Sequence, residues 1–191
     1  MNKEELRQFY LEKRNTIDIS EFDVLTRKIT EQLLNLNIWA ADKTVHCFLP
    51  IETKNEFDTL PFIQSLWKLG CKVVVPVADF KTKLMSSALF TDDTPLTHRH
   101  NIPEPEFPET IDDATIDIII VPLAIADKNG FRIGYGGGFY DRFISKTPNT
   151  YTIGVSFFNP IESIYPEKFD HPLSELITPY NCYTFEKQKT N

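Results

Sequence analysis

Basic residues are in deficit in this sequence: 20 Lys and Arg stand against 27 Asp and Glu, for a formal charge of −7. Phosphate backbones select basic faces, so no nucleic-acid partner is expected, although a local basic pocket stays open. Cysteine is scarce too. Cys47, Cys71 and Cys182 are odd in number and far apart, which excludes a disulfide framework and leaves them as small buried hydrophobes. His98, His100 and His171 have no cysteine or carboxylate at zinc-ligand spacing, so no zinc is expected. No apolar run is long enough to span a bilayer. Met1-Asn2-Lys3-Glu4-Glu5 is charged where a secretory leader would be apolar. A cytoplasmic location is the expectation. There is no Gly-x-Ser-x-Gly elbow, which removes the serine-hydrolase reading. Internal repeats and linkers are missing as well, so 1–191 is read as one domain.

Glycine is rare, and its distribution is the main positive signal. Of seven glycines, Gly134, Gly136, Gly137 and Gly138 fall within five positions. They follow the apolar run Ile116 to Leu123 and precede Phe139 to Ile144, which can begin a helix. A buried strand, a glycine loop and a helix start form an anion site in α/β proteins, because backbone N–H groups converge there. The loop lacks the Gly-Lys-Ser/Thr ending of a P-loop and the third glycine of the dinucleotide fingerprint. It is also too rich in aromatics for a flexible linker. Phosphate with a divalent cation is the expected ligand, and Asp141 at the loop's end either holds that cation or compensates the helix dipole.

Periodicity supplies the frame. Residues 3 to 15 read as a helix with Lys3, Arg7 and Arg14 on one side, which on spacing alone is a solvated charged face. Ser20 to Leu36 reads as a second helix, capped by Ser20 or Asp18. Thr44 to Leu49 is a strand, Phe57 to Leu69 a helix closing at Gly70, and Lys72 to Val77 a strand. That succession is a βαβ crossover and hence part of a parallel sheet. Met85 to Phe90 and Tyr151 to Phe157 add strands, with an edge strand at Cys182 to Phe185. Residues 91–113, with four prolines, read as a long irregular connection. Ile116 to Leu123 lacks polar alternation, as a strand covered on both faces does. The expected fold is a three-layer, Rossmann-like α/β domain. Its open, mostly parallel sheet carries helices on both faces and an amino-terminal helical segment. Ligands sit beyond the carboxyl ends of such strands, where Pro50 to Asp58, Ala124 to Asp141 and Phe158 to Asp170 emerge. Glu56 and Asp58 are candidates there, with Asp58 equally able to cap the next helix. Asp170 is either a second carboxylate or an Asx turn before Pro172. His46 reads as a satisfied core histidine. Tyr135, Phe139 and Tyr140 either stack on a flat ring or belong to the core.

The stretch Arg132-Ile-Gly-Tyr-Gly-Gly-Gly-Phe-Tyr-Asp-Arg142 resembles the signature of the 5-formyltetrahydrofolate cyclo-ligase (methenyltetrahydrofolate synthetase) family. Four further segments are similar in order: Lys3-x-x-Leu6-Arg7 with Arg14; Phe48-Leu49-Pro50 with Glu56-Phe57-Asp58-Thr59; Asn101-Ile102-Pro103-Glu104-Pro105; and Phe169-Asp170-His171-Pro172-Leu173. The resemblance implies an enzyme that cyclises 5-formyltetrahydrofolate with ATP and Mg²⁺, and a monomer is the expectation. By position, Lys3, Arg7, Gly134, Tyr135, Gly136, Gly137, Gly138, Phe139, Tyr140 and Asp141 would bind ATP, with Arg14 assisting. Asp141 and Asp170 would hold Mg²⁺. Ile51, Glu56, Asp58, His100 and Tyr140 would contact the folate, and Tyr140 and Arg132 would act at the reacting groups. The chain departs from the family at Pro122 to Asp127, which lacks a Gly and a Phe, and at Tyr135 or Gly137, where some members are basic. A nucleotide-binding module without catalysis is the alternative from another class.

Overall fold

The computed structural model describes residues 1–186; the last five residues of the expected domain, 187–191, lie outside the described residues. Two helices come first, α1 (Lys3–Asn15) and α2 (Ile19–Leu34). Both start on side-chain caps. Asn2 accepts from Glu5 N–H while Glu5 reaches back to Asn2 N–H, a reciprocal capping box. Asp18 accepts from Glu21 N–H at 2.9 Å, which selects Asp18 over Ser20 as the second cap. Leu25, Ile29 and Leu33 recur at helical spacing and are buried.

Next come β1 (Thr44–His46), α3 (Leu60–Lys68), β2 (Lys72–Asp79) and β3 (Leu84–Leu89). Strand β1 is shorter than its apolar run, and α3 begins three residues after Phe57, at Leu60. The proline-rich stretch is more ordered than its composition suggests, since β4 (Leu96–Arg99) and β5 (Ile102–Pro105) form an antiparallel hairpin. Its two-residue turn is His100 (φ 53°) and Asn101 (φ 62°), both left-handed without glycine. Then follow β6 (Ile118–Pro122), the small pair β7 (Ile125–Ala126) and β8 (Arg132–Ile133), α4 (Phe139–Lys146), β9 (Tyr151–Val155), β10 (Glu175–Ile177) and β11 (Cys182–Thr184).

Seven strands make one sheet in the order β11-β10-β9-β6-β1-β2-β3. Strands β10 to β2 run parallel, and both edges are antiparallel. Alternate residues of β6 feed two different cores. Ile118 and Ile120 pack with α2 and α3, whereas Ile119 and Val121 pack with Phe143 and Ile144 of α4. This two-sided burial is why the run shows no polar alternation.

Two local expectations are corrected. Cys182 is exposed, because β11 is the outermost strand. His46 is fully buried but only half-satisfied: Nδ1 meets Ser87 Oγ at 3.0 Å and Nε2 has no partner among the described residues. Burial lowers its pKa to about 3, so the ring is neutral.

At Gly154 in β9, an added Cβ would lie 2.5 Å from Leu173 Cδ1 and 2.7 Å from Leu123 Cδ2. Both leucines are buried and cannot swing away. Gly154→Ala is therefore expected to cost about 1–3 kcal/mol through overpacking. A denaturant midpoint equal to that of the parent would refute this.

Candidate active site

A cleft of about 500 Å³ opens beyond the carboxyl ends of β1 and β6. Of the residues anticipated from sequence, Lys3, Arg7, Ile51, Glu56, His100, Arg132, Gly134 to Asp141 and Asp170 all line it. The glycine loop forms one wall. Gly136 (φ 86°) and Gly138 (φ 64°) take left-handed conformations that an L side chain resists. Gly138 starts α4 without a side-chain cap. The first-turn N–H groups of α4 therefore keep their capacity to bind an anion.

The charged side of α1 is not a solvated face. Arg7 Nε donates to Gly134 O at 2.8 Å, and its guanidinium carbon would sit 3.3 Å from a Cβ at Gly136. Lys3 Nζ donates to Asp170 Oδ2 at 2.6 Å and to Glu167 Oε1 at 3.1 Å. Burial works against the Lys3 charge, but these two bonds outweigh it and raise its pKa. Burial likewise opposes the Asp170 charge, and the Lys3 bond leads the contacts that bring its pKa below the usual range.

Arg14 takes a different place. It is 5% exposed, stands behind the loop and donates to the Tyr135 hydroxyl at 2.6 Å. It lines a neighbouring cavity of about 10 Å³ and not the main cleft. Asp58 also lies outside the cleft lining. Its Oδ1 accepts from Leu60 N–H at 3.1 Å, the local capping role open to a short carboxylate.

Arg132 is committed to protein partners, donating to His171 O at 2.7 Å and to Asp141 Oδ1 at 2.8 Å. It thereby joins the glycine loop to the Asp170 loop. Tyr140 is the opposite case: its hydroxyl is buried and has no partner among the described residues. Burial first, then the nearby Cys47 and Glu56, raise its pKa well above 10. Tyr140 is thus a neutral O–H donor with nothing to donate to among the described residues.

Glu104 was not singled out individually. It lies on β5, is 1% exposed and lines the cleft. Oε1 accepts from Ala78 N–H at 2.8 Å, whereas Oε2 has no hydrogen-bond partner among the described residues. Lys54 lines the same space, 4.6 Å from the Tyr135 ring centre. His100 packs on Phe80 at 4.4 Å, and Phe80 on Phe139 at 5.4 Å, which makes an aromatic wall of the cleft.

Asp141 and Asp170 face one cleft, and each uses a single carboxylate oxygen in the protein bonds given above. The described residues contain no group of three or more His, Cys, Asp or Glu that forms a metal cage. Two carboxylates with room for phosphate oxygens and water suit Mg²⁺, which seldom takes an all-protein cage.

The family described as "5-formyltetrahydrofolate cyclo-ligase family" matches residues 1–179. The chain belongs to that family. It is an ATP-dependent cyclo-ligase by that membership. The 5-formyltetrahydrofolate cyclo-ligase of Escherichia coli (strain K12) is 32% identical over 145 residues, covering 71% of this chain and 78% of that protein. The one from Haemophilus influenzae is 30% identical over 158 residues, with 79% and 83% covered. Among solved structures, the NMR structure of Aquifex aeolicus 5,10-methenyltetrahydrofolate synthetase superposes with a TM-score of 0.84 at 26% identity. It covers 100% of this chain and 96% of the other.

In this cyclo-ligase the atypical Pro122 to Asp127 segment has a clear structural anchor. Asp127 is fully buried, and its carboxylate accepts from Asn129 and Phe131 N–H at 2.9 Å and from Ile164 N–H at 2.7 Å. Only Pro122 of the segment lines the cleft.

Proposed function

We propose that this cleft converts 5-formyltetrahydrofolate and ATP into 5,10-methenyltetrahydrofolate, ADP and phosphate. The observation that carries the reading is the docking of the basic α1 helix onto the glycine loop, with two carboxylates at the same mouth. The formyl oxygen attacks the terminal phosphorus of ATP, and ADP leaves. N10 then attacks the activated formyl carbon and loses its proton, and the carbon–oxygen bond breaks as phosphate departs. An amide-like oxygen is a poor leaving group until it is phosphorylated.

Such phosphoryl transfer asks for positioning and charge stabilisation more than for a protein nucleophile. Lys3, Arg7 and the N–H groups of Gly134 to Asp141 hold the phosphates. Asp141 and Asp170 would hold Mg²⁺, which would supply charge neutralisation on the transferring group. Arg132 fixes Asp141 and the Asp170 loop, so its part is to position. Tyr140 donates its hydroxyl proton in a hydrogen bond to the substrate, the partner it lacks among the described residues. Glu56 and the unpartnered oxygen of Glu104 accept N–H groups of the folate ring system, and Ile51 and the Phe80–His100 wall cover its flat faces. We also read the enzyme as a cytoplasmic monomer without a nucleic-acid partner. No helix among the described residues is long and apolar enough to cross a membrane.

The test is absorbance in the methenyl product's band with 5-formyltetrahydrofolate, ATP and Mg²⁺, then with each omitted in turn. The rise is expected to need all three. A folded protein that binds ATP and gives no rise would be the non-catalytic nucleotide module.

A further inference from the structure

Tyr135 stands between two buried charges. Arg14 donates to its hydroxyl oxygen at 2.6 Å, and the hydroxyl in turn donates to Glu56 Oε1. Glu56 is 5% exposed, and its other oxygen accepts from Ile51 N–H at 2.7 Å. The ion pairs of the described residues include none between Arg14 and Glu56. The two charges meet through the phenol. Arg14 is otherwise poorly served: Nη1 reaches Leu123 O at 3.4 Å, and Nε is buried with no partner among the described residues. These contacts join three separate parts of the site, namely α1, the loop after β1 and the glycine loop.

We propose that Tyr135 is a positioning residue whose hydroxyl passes the Arg14 charge to Glu56, keeping that carboxylate ionised and held toward an N–H donor of the substrate. The last part rests on the reading of Glu56 as a folate contact. A phenol suits the task because its oxygen accepts from the guanidinium while its proton is given to the carboxylate. The cations of Arg14 and Lys54 lie 5.7 and 4.6 Å from the centre of its ring.

Burial pushes the Glu56 pKa above the usual carboxylate range, and Tyr135, Ile51 N–H, Arg14 and Lys54 pull it back. Removing the hydroxyl removes the first of those four and strands the Arg14 charge. Glu56 then holds its proton to higher pH. Since the ionised form is the one that accepts, the acid limb of kcat/KM for the folate must move upward with it.

The experiment follows the Glu56 carboxyl directly by carbon-13 NMR in glutamate-labelled enzyme, with Glu56→Gln identifying the resonance. Alongside it, kcat/KM for 5-formyltetrahydrofolate is measured against pH. In Tyr135→Phe the carboxyl midpoint is expected to rise by about one pH unit or more, with the acid limb rising equally. An unchanged midpoint overturns the relay. A midpoint that rises while the acid limb stays in place overturns the Glu56 substrate reading and the purpose assigned to the relay. A background without the charge gives the second measurement. With Glu56→Gln already present, adding Tyr135→Phe is expected to change kcat/KM less than about twofold, against about tenfold near neutral pH in the parent. Equal losses in both backgrounds would mean that Tyr135 only packs.

Discussion

Asp141→Asn is expected to lower kcat/KM at least a hundredfold and leave the fold intact. Asn is nearly isosteric and still accepts a hydrogen bond, so the 2.8 Å contact from Arg132 survives. What disappears is the negative charge in the first turn of α4, at the mouth of the anion loop. Arg132, 4% exposed at its side chain, then adds uncompensated positive charge at the proposed Mg²⁺ site. Preorganised electrostatic contacts to a transferring group are typically worth about 10²–10³ in rate when one is removed. Initial rates against Mg²⁺ concentration, together with a melting curve, are the check. Partial recovery at high Mg²⁺ fits the assignment. Parent-like turnover at every Mg²⁺ concentration would take Asp141 out of the metal site.

Glu104→Gln is expected to raise KM for 5-formyltetrahydrofolate about 10- to 100-fold and leave KM for ATP near its parent value. A buried carboxylate oxygen without a hydrogen bond costs about 1–3 kcal/mol. Arg99 does little to relieve it, lying 3.8 Å away and 65% exposed at its side chain. A substrate N–H closes that deficit. In the variant the amide oxygen still takes the Ala78 N–H, which turns the NH₂ group toward the ligand. Donor then faces donor, and a charge-assisted bond of about 1.5–3 kcal/mol is lost. Unchanged folate KM would confine Glu104 to pinning β5 against β2.

The central sheet was readable because its strands carry their burial in the residue pattern. Ile118 to Val121 and Val73 to Val75 are apolar without interruption, as two-sided cover demands. The β4–β5 hairpin was not readable. Its strands are short, β5 contains two prolines, and its turn uses His100 and Asn101 where the usual hairpin signal is Asn-Gly or Asp-Gly. Glu104 went unnoticed with it, since a carboxylate's burial is set by which strand passes beside it. The glycine loop declared itself through clustering.

The basic stripe on α1 did not, because i, i+4 spacing is the same for a solvated face and for one that docks. Its partners, Gly134, Tyr135 and Asp170, are remote in sequence, and only tertiary structure or family resemblance can supply them. Asp58 and Arg14 illustrate a related limit. Loop position put Asp58 near the cleft and family resemblance put Arg14 there, but a bond to Leu60 N–H occupies one and the Tyr135 hydroxyl the other.

The docking of α1 on the glycine loop also has a consequence for synthesis. Arg7 and its acceptor Gly134 are 127 residues apart, Arg14 and Tyr135 are 121 apart, and Lys3 and Asp170 are 167 apart. At the ribosome's pace of about 5–20 residues per second, α1 emerges roughly ten seconds before the glycine loop that its basic side chains dock on. Throughout that interval Lys3 and Arg14 lack Asp170 and Tyr135, and Arg7 has only Glu4 of its own helix to pair with. The nucleotide site is thus completed late, after the strands that support it have been made, and a nascent chain stalled before Gly134 would carry half a sheet and no enzyme.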